Sequence, residues 1–255
     1  MEFKNNLISE KTLEELKANL LKIETITNIS IHDMVIIYGR FTIFIDTNVH
    51  YNGFISKDLI IINNEKLFEK ISTIINNAGL NIIDDKYLIF RNNYNKLCMS
   101  ITVSLPVIDK FSGNSYYLSN FSQIPLEFAG IKFQNSEAAF QSMKCKNKED
   151  RIKFSDLNPS LAKRRGRSIE LRDDWEAVKE QIMYSICLAK FSQNPSIGKK
   201  LISTFPHILI EGNTWGDTEW GVSHGMGENK LGLILMKVRE DLPLLTLPYK
   251  GDEYI

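Results

Sequence analysis

The chain has 255 residues, 43% of them hydrophobic, with 31 basic residues balancing 31 acidic ones. That is enough apolar material for one or two buried cores, and the balanced charge provides no bulk attraction to nucleic acid or to an anionic membrane. Three widely spaced cysteines, Cys98, Cys145 and Cys187, fit neither a disulfide framework nor a paired zinc site, which points to a reducing cytoplasm. No apolar stretch approaches the roughly 18 residues needed to span a bilayer, and the first residues lack the apolar run of a secretory leader.

Residues 1–108 are rich in Ile and Asn and read as a small mixed α/β domain. Leu13, Leu16, Leu20 and Leu21 recur at helical spacing, so an amphipathic helix is expected there. MVIIYGRFTIFIDT and LIIIN read as strands, KLFEKISTIINNAG as a helix stopped at Gly79, and Tyr87 to Arg91 and Leu97 to Leu105 as further strands. His32 and His50 stand alone, with no second ligand type at metal spacing. The chemistry of this half is quiet, and its role is not legible.

Composition changes near Asp109, which sets the start of a second domain at 109–255. FSGNSYYLSNFSQ brings Gly, Asn, Ser and aromatics ahead of a short strand pair in PLEFAGIKF. Helix starts then follow in order: Asn135 or Ser136 before EAAFQSMK, Asn158-Pro159 before SLAKRR, Asp173 or Asp174 before WEAVKEQIMYSICLAKF, and Asn194-Pro195 before SIGKKLIST. Ile208 to Ile210 form a brief strand that delivers Glu211 to a glycine-rich loop, and Leu231, Ile234, Leu235 and Val238 mark a last amphipathic helix.

The loop EGNTWGDTEWGVSHGMGEN concentrates acids, tryptophans and glycines in front of that rigid helix, the profile of a pocket wall. Glu137 lies in a helix first turn, on one face with Gln141 and Lys144. An acid there also simply complements the helix dipole. Asn120 and Phe121 before it, and Asp217 and Trp220 after it, make up a possible cleft with two carboxylates whose mutual repulsion would divide acid and base roles. Trp175 fits core and pocket equally well, and the run Lys163, Arg164, Arg165, Arg167, Arg172 fits a phosphate site or a solvated basic face. His224 is a lone proton-relay candidate, and Cys145 and Cys187 read as core.

Several of these segments, in this order, resemble the NADAR family (YbiA-like): LSNF at 118–121, NSEAAFQSMK at 135–144, AKRRGR at 162–167, LRDDWEAVKEQIM at 171–183, LIEGNTWGDTEWG at 209–221 and GENKLGLILMKVRE at 227–240. The resemblance covers residues 111–242 and leaves 1–108 aside. It implies an α+β fold, mainly helical with a few short strands. It also implies an N-glycosidase that needs no cofactor or metal and acts on ribosylated nucleobases or nucleotides, such as ADP-ribosyl guanine in nucleic acid or phosphorylated riboflavin-pathway intermediates. Carried over by motif, Glu137 and Asp217 take the catalytic positions, and Asn120, Phe121, Lys144, Arg167, Trp175, Trp220 and Gly221 take substrate-binding ones. Ala138 and Ala139 depart from the His-Tyr pair that often follows the family's glutamate, which bears on substrate shape. The alternative from another class is a noncatalytic module that senses NAD or ADP-ribose.

Overall fold

The computed structural model describes residues 10–35, 40–50, 65–91 and 96–254. They divide into two compact units, one built from Ile108–Phe205 and the chain from Leu209 onward, the other from the described residues up to Val107 together with Pro206–Ile208. The secondary structure is mixed, α+β in class.

The N-terminal unit is a four-stranded antiparallel sheet in the order β1-β2-β4-β3, formed by β1 Ile26–Val35, β2 Arg40–His50, β3 Asn81–Arg91 and β4 Lys96–Ser104. Helix α1, Glu10–Leu21, packs on β1 and on α2, Glu65–Asn77, which in turn packs on β3. Alternation along the strands places Ile43 opposite Ile101 and Ile45 opposite Met99, and all four are buried. Leu16, Leu20, Ile71 and Ile75 cover this face from the helices, as spacings of three and four require. Gly79 ends α2 at φ 76°, where a side chain would be strained.

The apolar run MVIIYGRFTIFIDT was expected as one strand, but Met34 and Val35 end β1 while Arg40 onward belongs to β2, with Val35 paired to Arg40. A hairpin whose two arms are both apolar hides its reversal from a periodicity reading. The expected strand LIIIN, residues 59–63, lies outside the described residues. Between α1 and α2 lies a groove of about 1130 Å³ rimmed by Glu15, Asn19, Lys66, Glu69, Lys70 and Thr73, all exposed.

The C-terminal unit is built around one long helix. After the hairpin Leu126–Phe128/Ile131–Phe133 come α3 Ser136–Ser142, α4 Lys148–Ile152, α5 Pro159–Gly166, α6 Trp175–Gln193, α7 Pro195–Ile202 and α8 Lys230–Asp241. Ile182, Met183, Ile186, Cys187, Ala189 and Phe191 bury most of the circumference of α6, which contacts α3, α7, α8 and the hairpin. Asn135 and Asn158 cap their helices as expected, accepting from the Ala138 and Leu161 N–H groups at 2.8 and 2.9 Å. Asp174 does not cap α6, because Arg172 takes its carboxylate in a two-pronged pair. Asn194 likewise turns away from its own helix start and donates to the carbonyls of Pro125 and Lys190. The five-residue α4, capped by Asn147, is too short to show a helical period in the sequence.

Candidate active site

The site grows from the N-terminus of α3. Glu137 is only 6% exposed, and its backbone N–H donates to the carbonyl of Asn120 at 3.1 Å, tying the Ser119–Phe121 loop to the helix start. Two further bonds hold that loop. Lys190, fully buried on α6, donates to the Ser119 carbonyl at 2.9 Å, and the Tyr116 hydroxyl donates to the Phe121 carbonyl at 2.8 Å. Asn120 is also 6% exposed; its Nδ2 meets Met183 Sδ, while its Oδ1 has no protein partner. A buried amide oxygen without a donor is unusual in a folded protein.

One turn along α3, Gln141 Nε2 donates to Glu137 Oε1 at 2.9 Å. Gly166 of α5 makes room for this pair, since a Cβ there would lie 1.9 Å from Gln141 Oε1. Burial pushes the Glu137 carboxyl above the usual range and Asp217 adds to the rise, while Gln141, Lys163 and Lys144 oppose it. The two carboxylates that the sequence set eighty positions apart are therefore near enough to repel each other.

Around them runs a row of aromatic rings. Phe140 of α3 stands between Trp175, 5.1 Å away, and Trp220, 5.2 Å away and edge-on. Trp175 is 5% exposed, so its ring is core, and it carries the Lys144 ammonium 5.6 Å from its centroid. Trp220 is half-buried. The Lys163 ammonium lies 5.7 Å from the Phe121 ring and acts on Glu137 from α5. Lys144 is pulled below the usual lysine range, chiefly by burial, with Lys163 and Arg167 adding to the effect and Glu137 opposing it. Arg167 itself is exposed. Two other cations of the basic run are engaged elsewhere: Arg165 donates to the Lys153 carbonyl and Arg172 pairs with Asp174.

The opposite wall is the glycine-rich loop, held by hydrogen bonds of its own. Asn213 clasps Asp217 from both sides, accepting from its N–H at 3.0 Å and donating to its carbonyl at 2.7 Å. Asp217 Oδ1 in turn accepts from the Trp220 N–H at 3.0 Å, so this acid shapes the loop that presents Trp220. Gly221 is required by packing against the protein, for a Cβ would sit 2.2 Å from the Glu211 carbonyl oxygen. Outside Trp220, Glu219 bridges Lys179 at 2.5 Å and Lys230 at 3.3 Å, joining the loop to α6 and α8. His224 and Trp215 are exposed.

Glu211 stands in the sequence only as one of the acids of the glycine-rich loop, with no site role assigned to it. Burial raises its carboxyl to about 7, with Asp217 and Glu137 repelling it and Lys163 and Lys190 attracting it. The legible signal was an acid placed directly after the buried run Ile208, Leu209, Ile210 and directly before Gly212. Asn229, at φ 54° before α8, fixes it by accepting the Glu211 N–H at 3.0 Å and donating to the Leu209 carbonyl at 2.9 Å. Lys190 was likewise absent from the expected site, whereas Lys163 belongs to the basic run that the sequence offers as a phosphate site. Among the described residues, no three His, Cys, Asp or Glu side chains are grouped to hold a metal ion, and no helix is long and apolar enough to cross a membrane.

Comparison with known proteins shows which family the C-terminal unit belongs to. N-glycosidase YbiA of Escherichia coli is 37% identical over 144 residues, which cover 54% of this chain and 89% of that protein. N-glycosidase Npun_R5314 of Nostoc punctiforme is 32% identical over 131 residues, 49% of this chain and 83% of its own. Riboflavin biosynthesis protein VVA0006 of Vibrio vulnificus is 30% identical over 133 residues, 51% of this chain but 36% of its own. The solution structure of E. coli YbiA superposes with a TM-score of 0.51 at 35% identity, covering 55% of this chain and 86% of YbiA. The NADAR domain model matches residues 109–243. More than half of the chain is thus a NADAR domain, and the protein belongs to the NADAR family and, with it, to the hydrolases that act on N-glycosyl bonds.

Proposed function

We propose that the NADAR domain hydrolyses the bond between a nitrogen and the anomeric carbon of a phosphorylated ribosyl group. The substrate class is a ribosylated nucleobase or nucleotide: ADP-ribosyl guanine, including that in nucleic acid, or a phosphorylated riboflavin-pathway intermediate. The working compartment is the cytoplasm. The observation that carries the reading is the convergence of Glu137, Glu211 and Asp217 with the cations Lys144 and Lys163 beside an aromatic row.

As the C–N bond lengthens, positive charge grows on the sugar, and a buried carboxylate stabilises it far more strongly than water would. Glu137 is the better base for the attacking water, since burial raises its proton affinity while Gln141 holds one oxygen in place. Asp217, with Oδ1 engaged by the Trp220 N–H, supplies standing negative charge. Lys144 and Lys163 face substrate phosphate, Asn120 Oδ1 receives a donor from the substrate, and Trp220 stacks on the base.

Incubation with ADP-ribosylated DNA and with phosphorylated riboflavin precursors, followed by mass spectrometry of the products, is the direct test. Glu137→Gln should lower turnover by about 10²–10⁴-fold, the usual worth of a positioned acid or base, while the fold is retained. Full activity of that variant would overturn the assignment. Tight binding of ADP-ribose or NAD with no product from either class would favour the noncatalytic sensor.

A further inference from the structure

We infer that Glu211 is the proton donor to the leaving nitrogen, a third carboxyl with a role separate from those of Glu137 and Asp217. The assignment rests on the N-glycosidase reading above and specifies how that site divides its chemistry.

The three acids differ in what the protein gives them. Glu137 Oε1 has the Gln141 amide, and Asp217 Oδ1 has the Trp220 N–H. Glu211 Oε2 is buried and has no hydrogen-bond partner at all. A buried carboxylate oxygen normally accepts a donor, so one without any sits in a setting that favours the protonated form. The position is built rather than incidental. The Glu211 N–H is fixed by Asn229 Oδ1, its carbonyl accepts from the Val222 N–H at 2.9 Å, and Gly221 leaves the space in which its Cγ sits, 3.1 Å from where a Cβ would be.

The charges acting on it come from four elements: Asp217 on the loop, Lys163 on α5, Lys190 on α6 and Glu137 on α3. Burial is the largest influence, the two acids add to it and the two lysines oppose it, and the carboxyl is poised near 7. Asn120, with its unpartnered Oδ1, joins Glu137 through its carbonyl, so the same cluster also offers an unfilled acceptor for the substrate.

The step balances without any co-reactant beyond water. The C1′–N bond breaks with its electron pair going to nitrogen, and the Glu211 carboxyl gives that nitrogen its proton. Water oxygen bonds to C1′ and loses a proton to Glu137. Exchange with solvent then restores the proton on Glu211 and removes the one on Glu137, giving free base and a ribosyl hemiacetal.

The test uses the full chain carrying Glu211→Gln, with two kinds of 5′-phosphorylated riboside. One has a leaving nitrogen that must be protonated to depart neutral, as in an amine or guanine adduct. The other is a pyridinium riboside, whose nitrogen departs neutral with no proton. Loss of kcat/KM by about 10²–10⁴-fold on the first, with less than tenfold on the second, is the expected result. The wild-type rate on the first substrate should also fall as pH rises through about 7, when Glu211 loses its proton, and this alkaline limb should vanish in the variant. Equal losses on both ribosides, or an alkaline limb that persists in Glu211→Gln, would overturn the role. Should the pyridinium riboside not be turned over by wild type, the pH profile alone decides between these outcomes. If wild-type protein releases no product from any riboside, the N-glycosidase reading itself fails, and the role of Glu211 falls with it.

Discussion

The two units bury different things. Among the described residues of the N-terminal unit, the buried polar side chains are Thr42, Thr47 and Ser100, none of them charged, beneath a face of Ile, Leu, Phe and Met. The C-terminal unit buries Glu137, Lys190 and Arg239 together with Asn120, Asn135, Gln141, Asn213 and Asn229. Hiding a charge costs several kcal/mol unless partners return it, so a fold keeps such groups only where they are well held or where they act. The asparagines of this unit act as caps and clasps, and the groups with displaced proton affinities, among them Glu137, Lys190 and Glu211, lie in this unit. The large groove between α1 and α2, by contrast, is rimmed by exposed side chains that water already solvates. The proposed site lies where polarity is buried, and cavity volume alone does not mark it.

The strongest way to break this contrast is to remove a buried charge. Lys190→Ala leaves the Ser119 carbonyl without its donor and empties a fully buried space, so unfolding by denaturant should show a loss of about 3–5 kcal/mol. Lys190→Met fills that volume and should lose about 1–2 kcal/mol, yet it should still impair turnover by loosening the Ser119–Phe121 loop. If both variants keep full stability and full activity, the buried lysine is not the anchor described here.

A core truncation in the other unit sharpens the same comparison. Ile43→Ala, opposite Ile101 in the sheet, should destabilise the N-terminal unit by about 2–4 kcal/mol through lost burial and a residual cavity. Hydrolysis measured at a temperature where that unit stays folded should be unchanged. A parallel fall in kcat would show that the N-terminal unit takes part in turnover.

A smaller effect than either truncation to alanine is expected at Gly166. Alanine there would press on Gln141 and push its amide away from Glu137, at about 1–3 kcal/mol of stability. Activity should drop more than stability does, because Glu137 then loses the donor that orients it. Normal kinetics in Gly166→Ala would mean that Gln141 plays no part in positioning the acid.

Much of this was open to a reading of the residues in order. Helix starts at Asn135 and Asn158, the stop at Gly79 and the apolar period of α8 are local events, set by a few neighbouring side chains and backbone angles. Motif order likewise singled out Glu137, Asp217 and Trp220, because the polar loop and the helix first turn are each visible in a window of a dozen residues. The expected caps at Asp174 and Asn194 went to other partners, since Arg172 and the carbonyls of Pro125 and Lys190 compete for the same atoms. Nothing along the chain announces that competition.

Sequence by itself determined the α+β class, the boundaries of most helices and the family to which residues 109–243 belong, because these depend on local pattern and on motifs kept in order. Only the tertiary structure decided that Trp175 is core beneath Lys144, that Lys163 and not Arg165 or Arg172 acts on the acids, and that Glu211 joins Glu137 and Asp217. Desolvation and the reach of a charge depend on which distant segments fold against each other, and that information is not carried by any short stretch of residues.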